Sequence, residues 1–388
     1  AEPCLLVGDT PRDVQAAHAA GLPCLGVTVA GWKTPADLAG AGAVLPGYED
    51  LDAALRAVDG LLAPPLPIRV LAWELTRRCP MACKHCRGAA RDADCAGELS
   101  GDECRRVLDT LAAAYPAPRR KPLLILTGGE PMYRDDLEAL VRHASGLGFP
   151  CVLAPCGRFA TPERLRALKE AGIRALSISV DGPDAATHDA FRGIPGAFDV
   201  ALRAMAAARE VGLPFQLNHT VTRAGRHTLR AMRDFARVQG ATRIDYFFLV
   251  PVGRGAAIAD QCLDDAQTQS ALDEILDLDA EGLLPLHVTC EPRVLARLRA
   301  RRPDAEPPAP GGHPGRSGFN GCMAGAGFCF LAHDGRLQPC GFYDDDGGNV
   351  RDFGCDLPAA YRASPLLCRL HGGNVCLARA RFGAGTDA

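Results

Sequence analysis

The 388-residue sequence has no excess of positive charge, no long apolar run and no secretory start. A formal net charge of −3 leaves no basic footprint for nucleic acid. Charged or turn residues interrupt every stretch approaching the roughly 18 apolar residues that a membrane helix needs, so no membrane span is expected. Ala1-Glu2-Pro3-Cys4 lacks the basic and apolar regions of a signal peptide. It also lacks an initiator Met, as a fragment or a processed product would. Lysine is confined to Lys33, Lys84, Lys121 and Lys169, a coding bias rather than a functional signal. There is no internal repeat and no long low-complexity tract. The 17 cysteines are too sparse for a disulfide scaffold, yet more than a reduced enzyme ordinarily carries. An odd count with clustered spacing points to metal ligation in a reducing, cytoplasmic setting.

The length suggests more than one domain. Residues 1–62 alternate short apolar runs with a helical stretch, the pattern of a parallel α/β segment. The proline-rich 63–67 reads as a stiff linker. From 68 to 290 the alternation is regular. Strands are expected at 69–75, 122–127, 151–154, 174–180, 214–221, 243–250 and 285–289. Helices are expected at 100–114, 135–147, 162–171, 198–211, 227–239 and 266–280. A parallel partial (β/α)6 barrel fits, with its site at the C-terminal ends of the strands. An open doubly wound sheet and a full eight-stranded barrel are the competing topologies. Residues 291–318 read as a linker, and 319–388 as a small cysteine-bearing C-terminal domain.

The first expected strand runs into Cys79-Pro80-Met81-Ala82-Cys83-Lys84-His85-Cys86. Three thiolates spaced Cys-x3-Cys-x2-Cys on one loop suit an iron–sulfur cluster. Three ligands on four irons leave one iron open to an outside ligand. The alternatives are a zinc site with His85 as fourth ligand, or buried free thiols. At the next strand end, Gly128-Gly129-Glu130-Pro131 offers a backbone that can approach a ligand closely and a carboxylate suited to an ammonium group.

Together these motifs resemble the radical SAM superfamily. The resemblance implies a 4Fe-4S cluster on Cys79, Cys83 and Cys86, with S-adenosylmethionine bound at its open iron. Gly128, Gly129, Glu130 and Pro131 match the motif that holds the methionyl amine. Ser179 and Arg192 match positions that contact the cofactor's carboxylate or ribose. Asn218 and the Val250-Pro251-Val252-Gly253-Arg254-Gly255 turn resemble further cofactor-side segments. The implied chemistry is reductive cleavage to methionine and a 5′-deoxyadenosyl radical, fed by a low-potential donor such as ferredoxin or flavodoxin.

The C-terminal region resembles a SPASM-type auxiliary-cluster domain. Cys322 and Cys340 flank an expected hairpin turning at Asp334-Gly335. That family continues with a dense run of cysteines, whereas this chain has only Cys355, Cys368 and Cys376, so the domain reads as shortened. One auxiliary cluster is expected on Cys322 and Cys340, with further ligands among Cys329, Cys355, Cys368 and Cys376; two clusters, or none, are the alternatives. The other eight cysteines, Cys4, Cys24, Cys95, Cys104, Cys151, Cys156, Cys262 and Cys290, read as ordinary thiols.

Within the superfamily, Cys-Lys-His-Cys, His188-Asp189-Ala190-Phe191-Arg192-Gly193 and the Cys322–Phe330 stretch resemble the heme-biosynthesis branch, the iron-coproporphyrin decarboxylases or alternative heme b synthases. The implied substrate is an iron porphyrin whose propionates become vinyl groups, with Arg192, Arg254 and Arg293 as candidate propionate partners. The rivals are a peptide-modifying maturase and a non-catalytic iron–sulfur or tetrapyrrole-binding protein. Residues 1–58 resemble the C-terminal piece of haloacid-dehalogenase-type phosphatases, in which Asp9 and Asp13 would help hold magnesium. The nucleophilic motif of that family is missing, so no phosphatase activity is expected.

Overall fold

The computed structural model describes residues 4–28, 34–45, 66–115, 121–301, 318–319, 321–370 and 376–381. The N-terminal segment forms its own parallel sheet of β1 (Leu6–Gly8), β2 (Cys24–Val27) and β3 (Ala43–Leu45), paired in chain order. Its helix α1 (Pro11–Ala20) begins at a capping box between Thr10 and Asp13 and stops at Gly21, whose φ of 67° is a left-handed cap. One oxygen of Asp13, expected as a magnesium ligand, accepts hydrogen bonds from the Thr10 amide (3.0 Å) and hydroxyl (2.7 Å).

A second sheet holds ten strands. Seven of them lie side by side in chain order, all parallel. They are β4 (Val70–Thr76), β5 (Leu123–Gly128), β6 (Cys151–Leu153), β7 (Ile173–Ser179), β8 (Phe215–Val221), β9 (Ile244–Phe248) and β10 (Leu286–Thr289). Between them run α2 (Gly101–Ala113), α3 (Leu137–Gly146), α4 (Pro162–Ala171), α5 (Ala185–Arg192), α6 (Ala197–Glu210), α7 (Leu229–Val238) and α8 (Asp265–Ala280). Parallel crossovers are right-handed almost without exception, so a strand order that never reverses puts the helices on one face. A doubly wound sheet reverses at a switch point. The observed order therefore favours barrel-type winding.

Side-chain alternation separates the two faces. On β4, Leu71, Trp73 and Leu75 enter the helix-covered core, each at most 2% exposed. Burial of such side chains supplies about 1.5–3 kcal/mol apiece. Ala72, Glu74 and Thr76 face the other way, into the barrel lumen. On β8, Phe215, Leu217, His219 and Val221 are buried while Gln216, Asn218 and Thr220 are only half-buried.

The stretch 291–318 is not simply a linker. α9 (Val294–Arg301) occupies its start, with Arg297 and Arg301 paired to Asp273 of α8, and β11 (Gly318–Phe319) adds to β10. α5 lies outside the periodicity-based expectations. At eight residues, capped by Asp184, it is too short for a clear helical repeat. β12 (Phe328–Leu331) and β13 (Leu337–Gln338) form the expected hairpin, turning through Gly335 at φ 87°. β12 also pairs in parallel with the outer edge of β4. Three short helices follow: α10 (Leu357–Ala363), α11 (Pro365–Arg369) and α12 (Leu377–Ala380). Most of the expected proline linker, residues 302–317 and residues 382–388 lie outside the described residues. Among the described residues no helix is long and apolar enough to cross a membrane.

Candidate cluster and cofactor site

The three spaced cysteines sit on the loop that leaves the C-terminal end of β4. Cys79 and Cys83 are buried and Cys86 is half-buried, in a small apolar pocket with Met81, Ala90, Cys156, Ile194 and Ala197. Each sulfur faces one N–H donor. The Met81 amide lies 3.4 Å from Cys79, the Ala90 amide 3.4 Å from Cys86, and an Arg192 nitrogen 3.8 Å from Cys83. Donors aimed at sulfur favour thiolates and tune the group they hold. The Cys156 thiol donates to Cys79 and lowers its pKa, while burial raises that of Cys83. Cys156 thus departs from the ordinary thiol expected at its position. The available signal was its position just past β6, on the same rim as the other site residues. His85, a candidate zinc ligand, is stacked on Phe191 (4.5 Å between ring centres), with Nε2 3.7 Å from Asp181.

The Gly-Gly-Glu-Pro segment packs against the start of the cysteine loop. A Cβ on Gly128 would lie 2.2 Å from the Thr76 carbonyl oxygen, and one on Gly129 would lie 2.3 Å from that of Arg78. The two glycines let β5 dock against the start of the cysteine loop. The Glu130 carboxylate is fully buried and accepts the backbone N–H groups of Met132 (3.0 Å) and Cys156 (2.7 Å), clamping β5 to β6. Burial raises its pKa. It shows no oxygen to solvent, which corrects the expectation of a carboxylate open to an ammonium group. Pro131 is buried at the start of a short 3-10 turn.

Arg192 is also placed differently. It is buried and grips Asp181 through Nε (2.9 Å) and a terminal nitrogen (2.8 Å), with its remaining nitrogen on Cys83. Asp181 accepts the Thr220 amide as well (2.9 Å). Burial would raise the Asp181 pKa, but Arg192, together with His85, His188 and His219, holds it well below the carboxylate range. Burial pushes His85 and His188 down to about 4.

Arg254 is likewise engaged. Its side chain donates to the backbone carbonyls of Cys83 (2.8 Å) and Ala90 (2.7 Å). Neighbouring Gly253, at φ 57°, packs so tightly that a Cβ would lie 2.1 Å from the Arg87 carbonyl oxygen. Arg293 pairs with Glu291 and Asp265. Each of the three candidate propionate partners is engaged by a carboxylate or carbonyl of the fold, while one terminal nitrogen of Arg254 is buried without a hydrogen-bond partner among the described residues.

Ser179 and Asn218 stand opposite each other on β7 and β8. The lumen-facing row continues through Asp245 of β9 to His287 of β10, at 3.0 Å, and Thr289 bonds Asp245 at 2.9 Å. Across the lumen, Ala72, Ile125, Phe328, Phe330 and Ala332 form an apolar strip. At its rim Glu74 is fully buried against Arg77 (3.0 Å), Arg87 (3.0 Å) and His333 (3.1 Å).

The radical SAM superfamily pattern matches residues 73–236. A protein from Nitratidesulfovibrio vulgaris named AdoMet-dependent heme synthase is 39% identical over 76% of this chain and 79% of its own length. The chain belongs to the radical SAM superfamily. A Methanosarcina barkeri protein of the same name is 37% identical, over 73% of this chain and 80% of its own. Among solved structures, Streptococcus suis SuiB bound to its precursor peptide SuiA covers 83% of this chain and 72% of itself. Its TM-score is 0.61 at 16% identity, a likeness of fold.

A radical SAM enzyme carries a 4Fe-4S cluster and S-adenosylmethionine, and this loop suits the cluster. Among the described residues no three acidic, His or Cys side chains converge on a point where one metal ion would sit. A cluster asks for something wider, because each thiolate meets a different iron. Three sulfurs, each with its own N–H donor in an apolar pocket, meet that need.

The C-terminal cysteines divide in two. Cys329 and Cys355 point into the main hydrophobic core, where burial pushes Cys329 up to about 12. Exposed Cys368 bonds backbone carbonyls of α10. These three auxiliary-ligand candidates are therefore directed elsewhere. Cys340 lies within electrostatic reach of Cys322 and Cys376. Cys290, read from sequence as ordinary, joins them through a hydrogen bond to Cys376. Nothing in its local sequence marked it, because it precedes the C-terminal motif.

Proposed function

We propose that this radical SAM enzyme oxidatively decarboxylates propionate side chains of an iron porphyrin to vinyl groups, a step in heme biosynthesis. The observation that carries the reading is the 37–39% identity, across most of both chains, to proteins named AdoMet-dependent heme synthase. The lumen supports it. An apolar strip that includes Phe328 and Phe330 offers a wall for a flat macrocycle, and the Asp245–His287–Thr289 row offers polar groups opposite.

Cleavage of S-adenosylmethionine at the reduced cluster supplies a 5′-deoxyadenosyl radical that takes one hydrogen atom from substrate carbon. Cys79, Cys83 and Cys86 hold the cluster, Arg254 and Gly253 fix the shape of their loop, and the Met81–Ala197 pocket excludes water. Ser179 and Asn218 face the cofactor, and the backbone of Gly128 to Pro131 forms the adjoining rim. On the substrate, removal of a hydrogen from the propionate β-carbon followed by loss of carbon dioxide and one electron leaves the vinyl group. Cys322, Cys340 and Cys376 would hold an auxiliary iron–sulfur cluster, which would supply an acceptor for that electron. A low-potential donor such as ferredoxin or flavodoxin, in a reducing cytoplasm, primes the first cluster.

The test is anaerobic reconstitution with iron and sulfide, then reductant, S-adenosylmethionine and iron-coproporphyrin. The expected products are 5′-deoxyadenosine and carbon dioxide, one of each for every propionate converted to vinyl, with no 5′-deoxyadenosine from the Cys79→Ala/Cys83→Ala/Cys86→Ala protein. If 5′-deoxyadenosine forms but the porphyrin keeps its carboxylates, the substrate reading is wrong while the superfamily chemistry stands.

A further inference from the structure

Glu74 is one carboxylate serving two guanidiniums. Arg77 donates to it through Nε at 3.0 Å, and Arg87 through a terminal nitrogen at 3.0 Å. His333 Nδ1 lies 3.1 Å from the same carboxylate. Burial acts to raise the Glu74 pKa, but these partners bring it to about 2, so it stays ionised. Among the described residues neither arginine lies within ion-pair distance of a second carboxylate. Glu98 accepts instead from the Thr76 hydroxyl (2.6 Å) and the Arg77 backbone amide (3.2 Å). One negative charge thus faces two fixed positive ones.

The carboxylate is closed to solvent and the guanidiniums are not. The Glu74 side chain is 0% exposed, that of Arg87 19% and that of Arg77 30%. Within the described residues the two terminal nitrogens of Arg77 and Nε of Arg87 make no hydrogen bond, and none of the three is buried. Arg87 also lies on the apolar wall. Its guanidinium carbon is 4.4 Å from the centre of the Phe330 ring, and it donates to the Gly341 carbonyl at 3.2 Å. Phe330 belongs to the lumen strip formed with Ala72 and Ala332. In sequence the two arginines flank the cysteine loop, Arg77 shortly before Cys79 and Arg87 directly after Cys86. A guanidinium fork with unused N–H groups is suited to a carboxylate, and a partly buried surplus of positive charge is relieved by an anion.

We propose that Arg77 and Arg87 form a carboxylate subsite that takes a propionate of a flat macrocycle resting on the Phe330 wall. This rests on the porphyrin reading above. Glu74 is the positioning residue: it holds both guanidiniums from behind and leaves their outer nitrogens to the ligand. The subsite also sets where the substrate lies, because a propionate held there is next to the loop that carries the first cluster.

The experiment is equilibrium dialysis of the full reconstituted chain against two probes in the same dilute detergent. One is iron-coproporphyrin; the other is iron-etioporphyrin, which has ethyl groups in place of the propionates. The native chain should bind the propionate form at least about tenfold more tightly. Arg77→Met and Arg87→Met should each weaken that binding by roughly tenfold to a hundredfold, as loss of a charge-assisted hydrogen bond does. Neither should change binding of the ethyl form. Equal affinity of the native chain for both probes would overturn the proposal. So would equal losses for both probes in the variants, which mark a structural role, or no loss at all. S-adenosylmethionine brings a carboxylate of its own, so its binding is measured in parallel. It should be unchanged, and a loss confined to it would overturn the proposal. Far-UV circular dichroism reports folding; if Arg87→Met is unfolded, Arg77→Met decides, since the terminal nitrogens of Arg77 hold nothing in the fold. If the native chain binds neither probe, the porphyrin reading itself fails, and the subsite with it.

Discussion

Replacing Arg192 with Met distinguishes a residue that holds the fold from one that holds a ligand. In the structure its guanidinium makes two bonds to Asp181, and the two side chains are 7% and 1% exposed. The substitution leaves a carboxylate buried with one amide donor, Thr220, and no cation. His85 and His188 cannot substitute, because burial pushes both down to about 4 and they are neutral near pH 7. Breaking a buried pair from one side costs about 3–5 kcal/mol. At about 2 °C per kcal/mol for a large domain, the apo protein should lose roughly 6–10 °C in Tm. The pH dependence follows from the same pair. In the native chain Asp181 titrates below its ordinary 3.8, so the stability it contributes is present above that value and is lost as pH falls through the depressed value. Without Arg192 the largest influence opposing burial is gone, and the variant shifts toward the protonated acid. The gap between the two proteins should therefore narrow as pH falls below the carboxylate range. Urea unfolding of the apo proteins, followed by circular dichroism at neutral and at acid pH, measures this. Arg192→Met/Asp181→Asn, which removes the charge and keeps an oxygen for Thr220, should recover most of the loss. An apo stability within 1 kcal/mol of native, coupled with weakened S-adenosylmethionine binding, would refute the reasoning and return Arg192 to the ligand.

The Glu74 cluster gives a second acid-sensitive feature. Burial acts to raise its pKa, but the bond with His333 and the charges of Arg87 and Arg77 outweigh it and bring it from 4.5 to about 2. The displacement is worth about 3 kcal/mol, fully present above 4.5 and lost as pH drops toward 2. Glu74→Gln should flatten that limb of the apo stability–pH curve; an unchanged limb would show that other carboxylates carry it. For Gly253→Ala, the Cβ would meet the Arg87 carbonyl at 2.1 Å at a left-handed φ of 57°. It should cost about 1–3 kcal/mol and reduce first-cluster iron after reconstitution; native iron content and stability would contradict the tight packing of that turn.

The regular parts of the fold were legible because each carries a repeat of its own. All seven expected core strands and all six expected core helices occur, since a two-residue or 3.6-residue pattern of burial is written locally. The three closely spaced cysteines were legible for the same reason, being on one loop. What sequence could not show was which partner each charged or polar group would meet. Arg254 was a plausible anion partner until the fold brought it to the Cys83 and Ala90 carbonyls. Gly128 and Gly129 read as space for a ligand, and that space is filled by the Thr76 and Arg78 backbone. Glu291 finds Arg379 88 residues away, a pairing that no local pattern announces, and Cys290 stands beside it.

The pairing of β12 with β4 bears on how the chain can be made. Glu74 and His333, joined across that seam, are 259 residues apart. During synthesis the strand that carries the cysteine loop precedes its partner, and its outer row of N–H and C=O groups stays unpaired until β12 has left the ribosome. Unpaired strand edges are templates for association with other chains. Iron delivered before that moment reaches a loop whose supporting wall is one stave short. Truncation before Phe328 removes more than an accessory module: it leaves the first barrel strand open to solvent.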